Sequence, residues 1–272
     1  MKGERMKIGF IGGGNMGEAM IAALIRKRIA TPRDITVSDA AEARRRHLAG
    51  KHDVRTTAGN RRAASGADVV VLAVKPQIAP TVLAELKGRL KPGQLVVSIM
   101  AGVSIETMRK GLNHKAIVRS MPNTPARIGE GMTVWTATPE VTASQRRAAA
   151  AVLGAMGKEM AVDDERYLDM ATAVSGSGPA YLFYFVEAFM EAAVSIGWTQ
   201  EQARELVMST VLGAAHLLQE TDEDASELRR QVTSPGGTTA AAIGALEAGG
   251  FKELVAKAVT AAHERAKELG KQ

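Results

Sequence analysis

The chain has 272 residues, enough for one large domain or for two ordinary domains with separate cores. It contains no cysteine, which excludes a disulfide framework, a thiolate nucleophile and a cysteine-ligated metal, and we expect no metal site. The net charge of +6 comes from basic residues spread along the chain. The densest basic group, Arg44 to Arg46, has no interleaved aromatic residues, so we predict no nucleic-acid partner.

Strand-like and helix-like stretches alternate through the first part of the chain. Two stretches, NMGEAMIAALIRKR and AAEARRRHLAG, have the spacing of helices. The strand-like stretches are KIGFIG, DITVSD, ADVVVLAV, QLVVSIM, AIVRSMP and GMTVWTA. Runs of β-branched residues such as ADVVVLAV suit strands that are buried on both faces. The alternation predicts an α/β fold of the Rossmann type, with a parallel, doubly wound sheet.

After about Val162 the strand signals stop, and the remainder reads as helices separated by short glycine-containing turns. We therefore predict a dinucleotide-binding domain over residues 1–162 and an all-helical domain over residues 163–272. The longest apolar stretch contains Glu187 and Glu191, which indicates a buried helix rather than a membrane span. The first residues do not resemble a signal peptide, so we expect a soluble, cytoplasmic protein with no membrane partner.

A glycine motif lies between the first strand and the first helix. FIGGGNMGEAM contains Gly12, Gly14 and Gly17 at the spacing of a dinucleotide-binding fingerprint. Gly12 would form the tight turn, Gly14 would let a pyrophosphate approach the backbone, and Gly17 would let the helix pack closely on the sheet. The amino end of the helix would present N–H groups to the phosphates.

The end of the second strand bears on the choice between the two nicotinamide dinucleotides. Asp39 lies near the position where an acidic group holds the ribose 2′-hydroxyl of NADH. Ser38 and the arginines at 44 to 46 could instead accept the 2′-phosphate of NADPH, although arginines on a helix are also typical of a solvated face. The sequence leaves NADPH or NADH open, with NADPH slightly favoured.

Further candidate cofactor residues follow the later strands, because ligands bind beyond the carboxyl ends of the strands in open α/β sheets. Lys75 follows the strand in ADVVVLAV, where it could meet the cofactor or a carboxylate. Ala101, Gly102 and Asn123 follow the next two strands. The MPNTP loop around Asn123 also has the composition of an ordinary structural turn.

Two glycine-containing segments interrupt the helical part. SGSGP, at residues 175–179, should break a helix that Pro179 restarts, and its small residues could admit a ligand or allow two helices to cross closely. In SPGGTT, Ser234 precedes Pro235 as in an ordinary helix N-cap. The same segment could present the N–H groups of Gly236 and Gly237 to a substrate carboxylate.

Taken together, these motifs resemble those of the Δ1-pyrroline-5-carboxylate reductases of proline biosynthesis. The matching stretches occur in the family's order from Ile8 to about Leu246: IGFIGGGNMGEAM, AVKPQ, VVSIMAGVS, MPNTP, AVSGSGPAY and SPGGTT. There are two departures. Met100 stands where a small residue is more usual, and ETDEDASEL lacks a common His-Pro pair, which leaves the role of Asp222 and Glu223 open.

The resemblance implies an NAD(P)H-dependent imine reductase with a helical domain that forms a homodimer or higher homo-oligomer. It places the active site between the dinucleotide domain of one subunit and helical segments at the dimer interface. The implied cofactor positions are Gly12, Gly14, Asn15, Met16, Gly17, Ser38, Asn60, Ala73, Val74, Lys75, Pro76, Ala101 and Gly102. The implied substrate positions are Ser175, Gly176, Ser177, Ser234, Gly236, Gly237, Thr238 and Thr239, with the Thr239 hydroxyl near the ring nitrogen.

The reaction that the resemblance implies needs little acid–base chemistry from the protein. A protonated imine is already electrophilic, so the residues around it mainly orient and desolvate the substrate. None of the five histidines falls in these motifs. We therefore expect Thr239 to act chiefly by orientation.

Two other functions fit the sequence less well. A β-hydroxyacid dehydrogenase would need a catalytic lysine in the helical domain, but residues 174–226 contain no lysine. A regulator that senses the redox state of the dinucleotide would need a DNA-binding element, and no helix-turn-helix with a basic face is evident.

Overall fold

The computed structural model describes residues 6–270. One eight-stranded sheet lies in the first part of the chain, with the strand order β3-β2-β1-β4-β5-β6-β7-β8. Its strands are β1 (Ile8–Ile11), β2 (Ile35–Ser38), β3 (Arg55–Thr57), β4 (Val69–Leu72), β5 (Leu95–Ser98), β6 (Ile117–Met121), β7 (Gly131–Ala137) and β8 (Gly157–Ala161).

Strands β1 to β6 are parallel, as expected for a doubly wound sheet. In the centre, Ile8 pairs with Ile35 on one side and with Val69 on the other. Strand β7 runs antiparallel to β6. Only residues 122–130 connect these two strands, which is too short for a crossover connection that would bring the chain back in parallel. Strand β8 then pairs in parallel with β7.

Alternating side chains of the central strands enter two separate cores, one on each face of the sheet. Ile8 and Phe10 lie in the first core, and Ile11 lies in the second. Val69 and Val71 belong to the first core, while Val70 and Leu72 belong to the second. Because side chains alternate along a strand, a continuous apolar sequence such as VVVL requires helices on both faces.

Six helices cover the two faces: α1 (Asn15–Arg26), α2 (Glu42–His52), α3 (Asn60–Ala64), α4 (Ala79–Leu86), α5 (Ile105–Leu112) and α6 (Ala143–Gly154). Buried residues of α1, α2 and α6 join the first core, and those of α3, α4 and α5 join the second. The sheet therefore has the two covered faces that the sequence predicts.

The remaining helices are α7 (Arg166–Ala171), α8 (Gly178–Ser195), α9 (Gln200–Glu220), α10 (Ala225–Gln231), α11 (Thr238–Ala248) and α12 (Phe251–Leu269). The chain divides into two compact units. The first contains the residues up to Ser177 and those from Ala262 onward, and the second is Gly178–Ala261. The predicted domain boundary near residue 162 stays a prediction. The last strand, β8, ends at Ala161, and the described elements after it are helical.

The second unit is built of helices throughout. Helix α8 packs against α9, and the α9 amino end carries a capping box in which Thr199 and Gln202 exchange hydrogen bonds. Large apolar side chains of this unit remain exposed, such as Phe183, Tyr184 and Ile196. Nowhere in residues 6–270 is a helix long and apolar enough to cross a membrane.

Gly9 offers a test of the sheet packing. A Cβ atom at this position in β1 would overlap the carbonyl group of Ala63 in α3. We expect Gly9→Ala to lower the free energy of unfolding by about 3 kcal/mol or more, because the displaced group is backbone. Chemical denaturation followed by circular dichroism would measure this.

The matched control is Gly50→Ala, since no heavy atom of the described residues lies within 4 Å of a Cβ at Gly50 in α2. It should stabilise the protein by about 0.5 kcal/mol through helix propensity. Equal stabilities for the two variants would contradict the packing described for β1.

Candidate active site

The glycine turn between β1 and α1 has the geometry that a dinucleotide pyrophosphate requires. Gly12 has a φ of 95°, and a Cβ atom there would approach the Ala73 carbonyl oxygen to 2.7 Å. A Cβ atom at Gly17 would lie 2.9 Å from the Gly12 carbonyl oxygen. These two glycines therefore allow the turn, β4 and α1 to pack closely.

Gly14 differs from its two neighbours in the motif, because its Cβ position faces open space, with no heavy atom of the described residues within 4 Å. The first N–H bond within α1 runs from Glu18 to the Gly14 carbonyl oxygen at 2.8 Å. The N–H groups of Asn15, Met16 and Gly17 precede that bond and are directed out of the helix end. An open space beside unpaired helix amides fits the pyrophosphate of NAD(P)H.

Ser38 and Asn60, two of the predicted cofactor positions, contact each other directly. The Ser38 side chain is fully buried, and its Oγ lies 2.8 Å from Asn60 Oδ1 and 3.2 Å from the Phe10 carbonyl oxygen. Asn60 Nδ2 donates to Glu85 Oε2 at 2.8 Å. Asn60 is therefore held in place from α4. Sequence reasoning missed Glu85, because nothing in the sequence of α4 signals this contact.

The segments after β4 and β5 form a crevice at the carboxyl edge of the sheet. A cavity of about 340 Å³ is lined by Pro76, Ala101 and Gly102 together with Leu269 and Gly270 at the end of α12. Gly102 has a φ of 71°, and a Cβ atom there would lie 3.2 Å from Leu269 Cβ. Three predicted cofactor positions are thus brought together, with the end of α12 as an unpredicted neighbour.

A larger cavity, of about 450 Å³, lies at the opposite edge, where β1, β2 and β3 begin. Its lining includes Lys7, Arg55 and Arg62. It lies away from both the glycine turn and the amino end of α1. The geometry therefore favours the smaller crevice as part of the cofactor site, despite its lower volume.

Asn123 lies in the loop after β6. Its Oδ1 accepts a hydrogen bond from the Met132 N–H at 2.9 Å, and a short 3₁₀ helix, Thr124–Ile128, follows it. The side chain thus positions the start of β7, which agrees with the structural interpretation of MPNTP. A cofactor contact by Asn123 stays a prediction.

The SGSGP segment separates two helical segments, as the sequence predicts, because a π-helix ends at Gly176 and α8 begins at Gly178 with Pro179 in its first turn. A π-helix spans Thr172–Gly176, and the Ser177 N–H donates to the Thr172 carbonyl oxygen at 2.8 Å. Ser175 Oγ donates to the Ala171 carbonyl oxygen at 3.0 Å. A Cβ atom at Gly176 would lie 2.9 Å from Met121 Cε, so this segment reaches the carboxyl end of β6. Such π-turns are frequent at functional sites.

A buried arginine of β6 that sequence reasoning missed pairs with acidic residues at and just before α7, the helix that precedes this segment. Arg119, with a side chain only 7% exposed, contacts Glu165 at 2.6 Å and Asp169 at 3.3 Å. Glu165 Oε1 also accepts from the Ile105 N–H, at the start of α5. The sequence did contain a signal for these contacts, namely a charged residue within AIVRSMP, a strand buried on both faces. A buried charge requires partners.

The SPGG segment forms a turn before its helix. Gly236 has a φ of 71°, and the Gly237 N–H donates to the Ser234 carbonyl oxygen at 3.0 Å, as in a type II turn. Helix α11 begins at Thr238 with Gly237 as its N-cap. The alternative interpretation of Ser234 as an ordinary N-cap does not hold, because Gly237 is the N-cap of α11 and Ser234 lies three residues before it.

The same geometry changes which amides of this segment face outward. The Gly237 N–H is used within the turn, whereas the first N–H bond within α11 comes from Ala241. The N–H groups of Thr238, Thr239 and Ala240 precede that bond and form the donor set at the helix end. Thr239 is half-buried.

Glu18, in the first turn of α1, is surrounded by cationic and histidine side chains of α2. Its carboxylate contacts Arg44 at 2.5 Å, Lys51 at 2.9 Å, and His47 and His52 at 3.0 Å each. Burial by itself raises the pKa of Glu18, but the hydrogen bonds from Lys51, His52, His47 and Arg44 outweigh it and hold that pKa well below its usual range. This cluster joins α2 to the helix that carries the glycine turn.

Comparisons with known proteins agree with this geometry. A family model described as pyrroline-5-carboxylate reductase dimerisation matches residues 165–269, and one described as NADP oxidoreductase coenzyme F420-dependent matches residues 7–102. A Synechocystis pyrroline-5-carboxylate reductase is 43% identical over 98% of this chain and 99% of its own length.

Two solved structures are similar over nearly the whole chain. A pyrroline-5-carboxylate reductase from Coxiella burnetii has a TM-score of 0.91 at 42% identity and covers 99% of this chain and 100% of its own. The Plasmodium falciparum pyrroline carboxylate reductase with NADP bound has a TM-score of 0.89 at 30% identity. The match covers 98% of this chain and 99% of the Plasmodium chain.

The sheet, its two covered faces and the open glycine turn define a Rossmann-type oxidoreductase that uses NAD(P)H. The extent of the similarity narrows this class further. The chain belongs to the pyrroline-5-carboxylate reductase family.

Gly14→Val tests the pyrophosphate position. The valine side chain would fill the open space beside the amides of α1, so we expect dinucleotide binding to be lost while the fold is kept. Fluorescence titration with reduced dinucleotide would measure binding, and thermal unfolding would verify the fold.

Gly93→Val is the matched control, since its Cβ position is also open among the described residues and lies before β5, away from the turn. Its dinucleotide affinity should equal that of the unchanged protein. Undiminished binding by Gly14→Val would contradict the proposed pyrophosphate position.

The lowered pKa of Glu18 predicts that the stability of the protein depends on pH. Because its folded-state pKa lies below the ordinary value of 4.5, ionised Glu18 stabilises the fold above that pH, and this contribution is lost as the pH falls. Between about pH 5.5 and about pH 3.5 the unchanged protein should lose more unfolding free energy than Glu18→Gln. Glu42→Gln removes an exposed pair with Arg46 and should behave like the unchanged protein. Parallel losses in all three proteins would contradict this role.

Proposed function

We propose that this protein reduces 1-pyrroline-5-carboxylate to L-proline, the last step of proline biosynthesis, with NADPH or NADH as the hydride donor. The observation that carries the proposal is similarity to pyrroline-5-carboxylate reductases over 98% of the chain, with the glycine turn open at Gly14. The NADP bound in the Plasmodium structure supports the choice of ligand class.

The first unit would hold the dinucleotide at the carboxyl edge of its sheet. The amides of Asn15, Met16 and Gly17 would bind the pyrophosphate, and the segments after β4 and β5 would line the rest of the cofactor. When bound, NAD(P)H supplies the hydride that the imine carbon receives. The small residues Gly176 and Ser177, near the end of β6, would leave room for a compact ring.

The SPGGTT segment would bind the substrate. The amides of Thr238, Thr239 and Ala240 form a helix end suited to the ring carboxylate, which is an anion. The Thr239 hydroxyl would hydrogen-bond the ring nitrogen and orient it. A hydroxyl is too weak an acid to deliver a proton alone, so orientation is the proposed role.

We also propose that the helical unit forms a homodimer and that the protein works in the cytoplasm without a nucleic-acid partner. The match to a dimerisation model supports homo-oligomerisation. The exposed fractions of Phe183 (64%), Tyr184 (75%) and Ile196 (79%) are high for apolar side chains, as at surfaces that bury against a partner. Sedimentation should show no monomer at assay concentrations, and a fully active monomer would contradict the proposed dimer.

A turnover assay tests the proposed reaction and the role of Thr239 together. With pyrroline-5-carboxylate, the protein should consume reduced nicotinamide and form proline. Thr239→Val keeps the side-chain shape and removes the hydroxyl, so kcat should fall about tenfold to a hundredfold. Dinucleotide affinity should change little.

Thr260→Val is the control for that substitution, because Thr260 Oγ1 donates only within α12, to the Ala256 carbonyl oxygen. Its kcat should match that of the unchanged protein. Full turnover by Thr239→Val would refute the contact to nitrogen, and absence of turnover by the unchanged protein would refute the reaction.

A further inference from the structure

The structure bears on which of the two dinucleotides this protein selects. Asp39 follows β2 directly, and both oxygens of its carboxylate are positioned by backbone donors. The Gly13 N–H donates to Oδ2 at 3.0 Å, and the Ala41 N–H donates to Oδ1 at 2.9 Å. Because Gly13 lies inside the glycine turn, the carboxylate is held at the edge of the cofactor site.

A carboxylate in this position still has acceptor capacity for a ligand. An ionised carboxylate can accept about four hydrogen bonds, and two are used here. The adenosine ribose of a dinucleotide lies beyond the second strand of a Rossmann sheet, where an acidic residue can accept from its 2′-hydroxyl. A 2′-phosphate in the same place carries a charge of about −1.5 to −2, and it would be repelled.

The groups that could offset this repulsion are already engaged within the protein. Ser38 Oγ is buried and contacts Asn60 Oδ1. Arg44 donates to the Gly13 carbonyl oxygen and contacts Glu18 at 2.5 Å. Glu18 thus holds the Arg44 guanidinium against α1.

The two other arginines of α2 also have hydrogen-bond partners within the protein. Arg45 donates to the carbonyl oxygens of Asp39 and Ala40 at 2.7 and 2.8 Å. Arg46 pairs with Glu42 at the exposed surface, 2.5 Å away. Ser38 and the three arginines, the candidate phosphate ligands in the sequence, therefore all have protein partners in the structure.

We propose that Asp39 is the specificity residue for the nicotinamide dinucleotide, selecting the ribose 2′-hydroxyl of NADH over the 2′-phosphate of NADPH, and that Glu18 supports this selection by holding Arg44. The inference rests on the proposed function only in taking NAD(P)H as the ligand. Both dinucleotides remain substrates, with NADH bound more tightly.

Dinucleotide titrations of the complete protein, followed by nicotinamide fluorescence without the imine, test this assignment. The unchanged protein should bind NADH at least about tenfold more tightly than NADPH. Asp39→Asn keeps the shape and an acceptor for Gly13 while removing the charge. It should bring the two affinities within about threefold, mainly by tighter NADPH binding.

Glu18→Gln should strengthen NADPH binding about threefold by releasing Arg44, whereas Glu42→Gln, which releases only the exposed Arg46, should leave both affinities unchanged. Equal or tighter NADPH binding by the unchanged protein, or an unaltered ratio in Asp39→Asn, would overturn the role of Asp39. An unaltered ratio in Glu18→Gln would overturn the supporting role of Glu18.

The titrations and the turnover assay together separate this inference from the proposed reaction. Turnover of pyrroline-5-carboxylate with an NADPH preference would overturn the specificity assignment and leave the reaction standing. An NADH preference in binding without any reduction of the imine would overturn the reaction and leave Asp39 as the specificity residue.

Discussion

The cofactor half of this protein depends on the close approach of backbone to backbone at the glycine turn. Gly12 lies so near the Ala73 carbonyl group, and Gly17 so near Gly12, that no side chain fits at either position. That contact determines where α1 begins relative to the sheet, and hence where its amides point. Gly14 is different, because the space beside it is left for a ligand.

Charged side chains near the glycine turn are hydrogen-bonded to its backbone or to one another. The Asp39 carboxylate accepts a hydrogen bond from the Gly13 N–H, and Arg44 donates one to the Gly13 carbonyl oxygen. Glu18 forms an ion pair with Arg44. One residue of the turn, Gly13, thus has an anion beside its N–H group and a cation beside its carbonyl group. The proposed choice between the two dinucleotides and the proposed binding of the pyrophosphate therefore both depend on the backbone of the glycine turn.

Sequence reasoning succeeded where local chemistry decides the outcome. The strand in ADVVVLAV and the glycine fingerprint can each be predicted from one short stretch of sequence, because burial and steric fit within that stretch determine them. It missed β3 and β8, which are short or exposed edge strands with little apolar pattern. It also missed the partners of Glu18 and Arg119, because those contacts join residues far apart in the chain and exist only after the sheet has formed.

The packing of Leu269 on Gly102 has a consequence for how the polypeptide is built. The first compact unit combines the residues up to Ser177 with those from Ala262 onward, so it is assembled from two stretches of chain that flank the second unit. A fragment ending at Ser177 would leave the loop after β5 uncovered on the ribosome. The nucleotide-binding half is consequently discontinuous in sequence, with the helical unit inserted before its final segment.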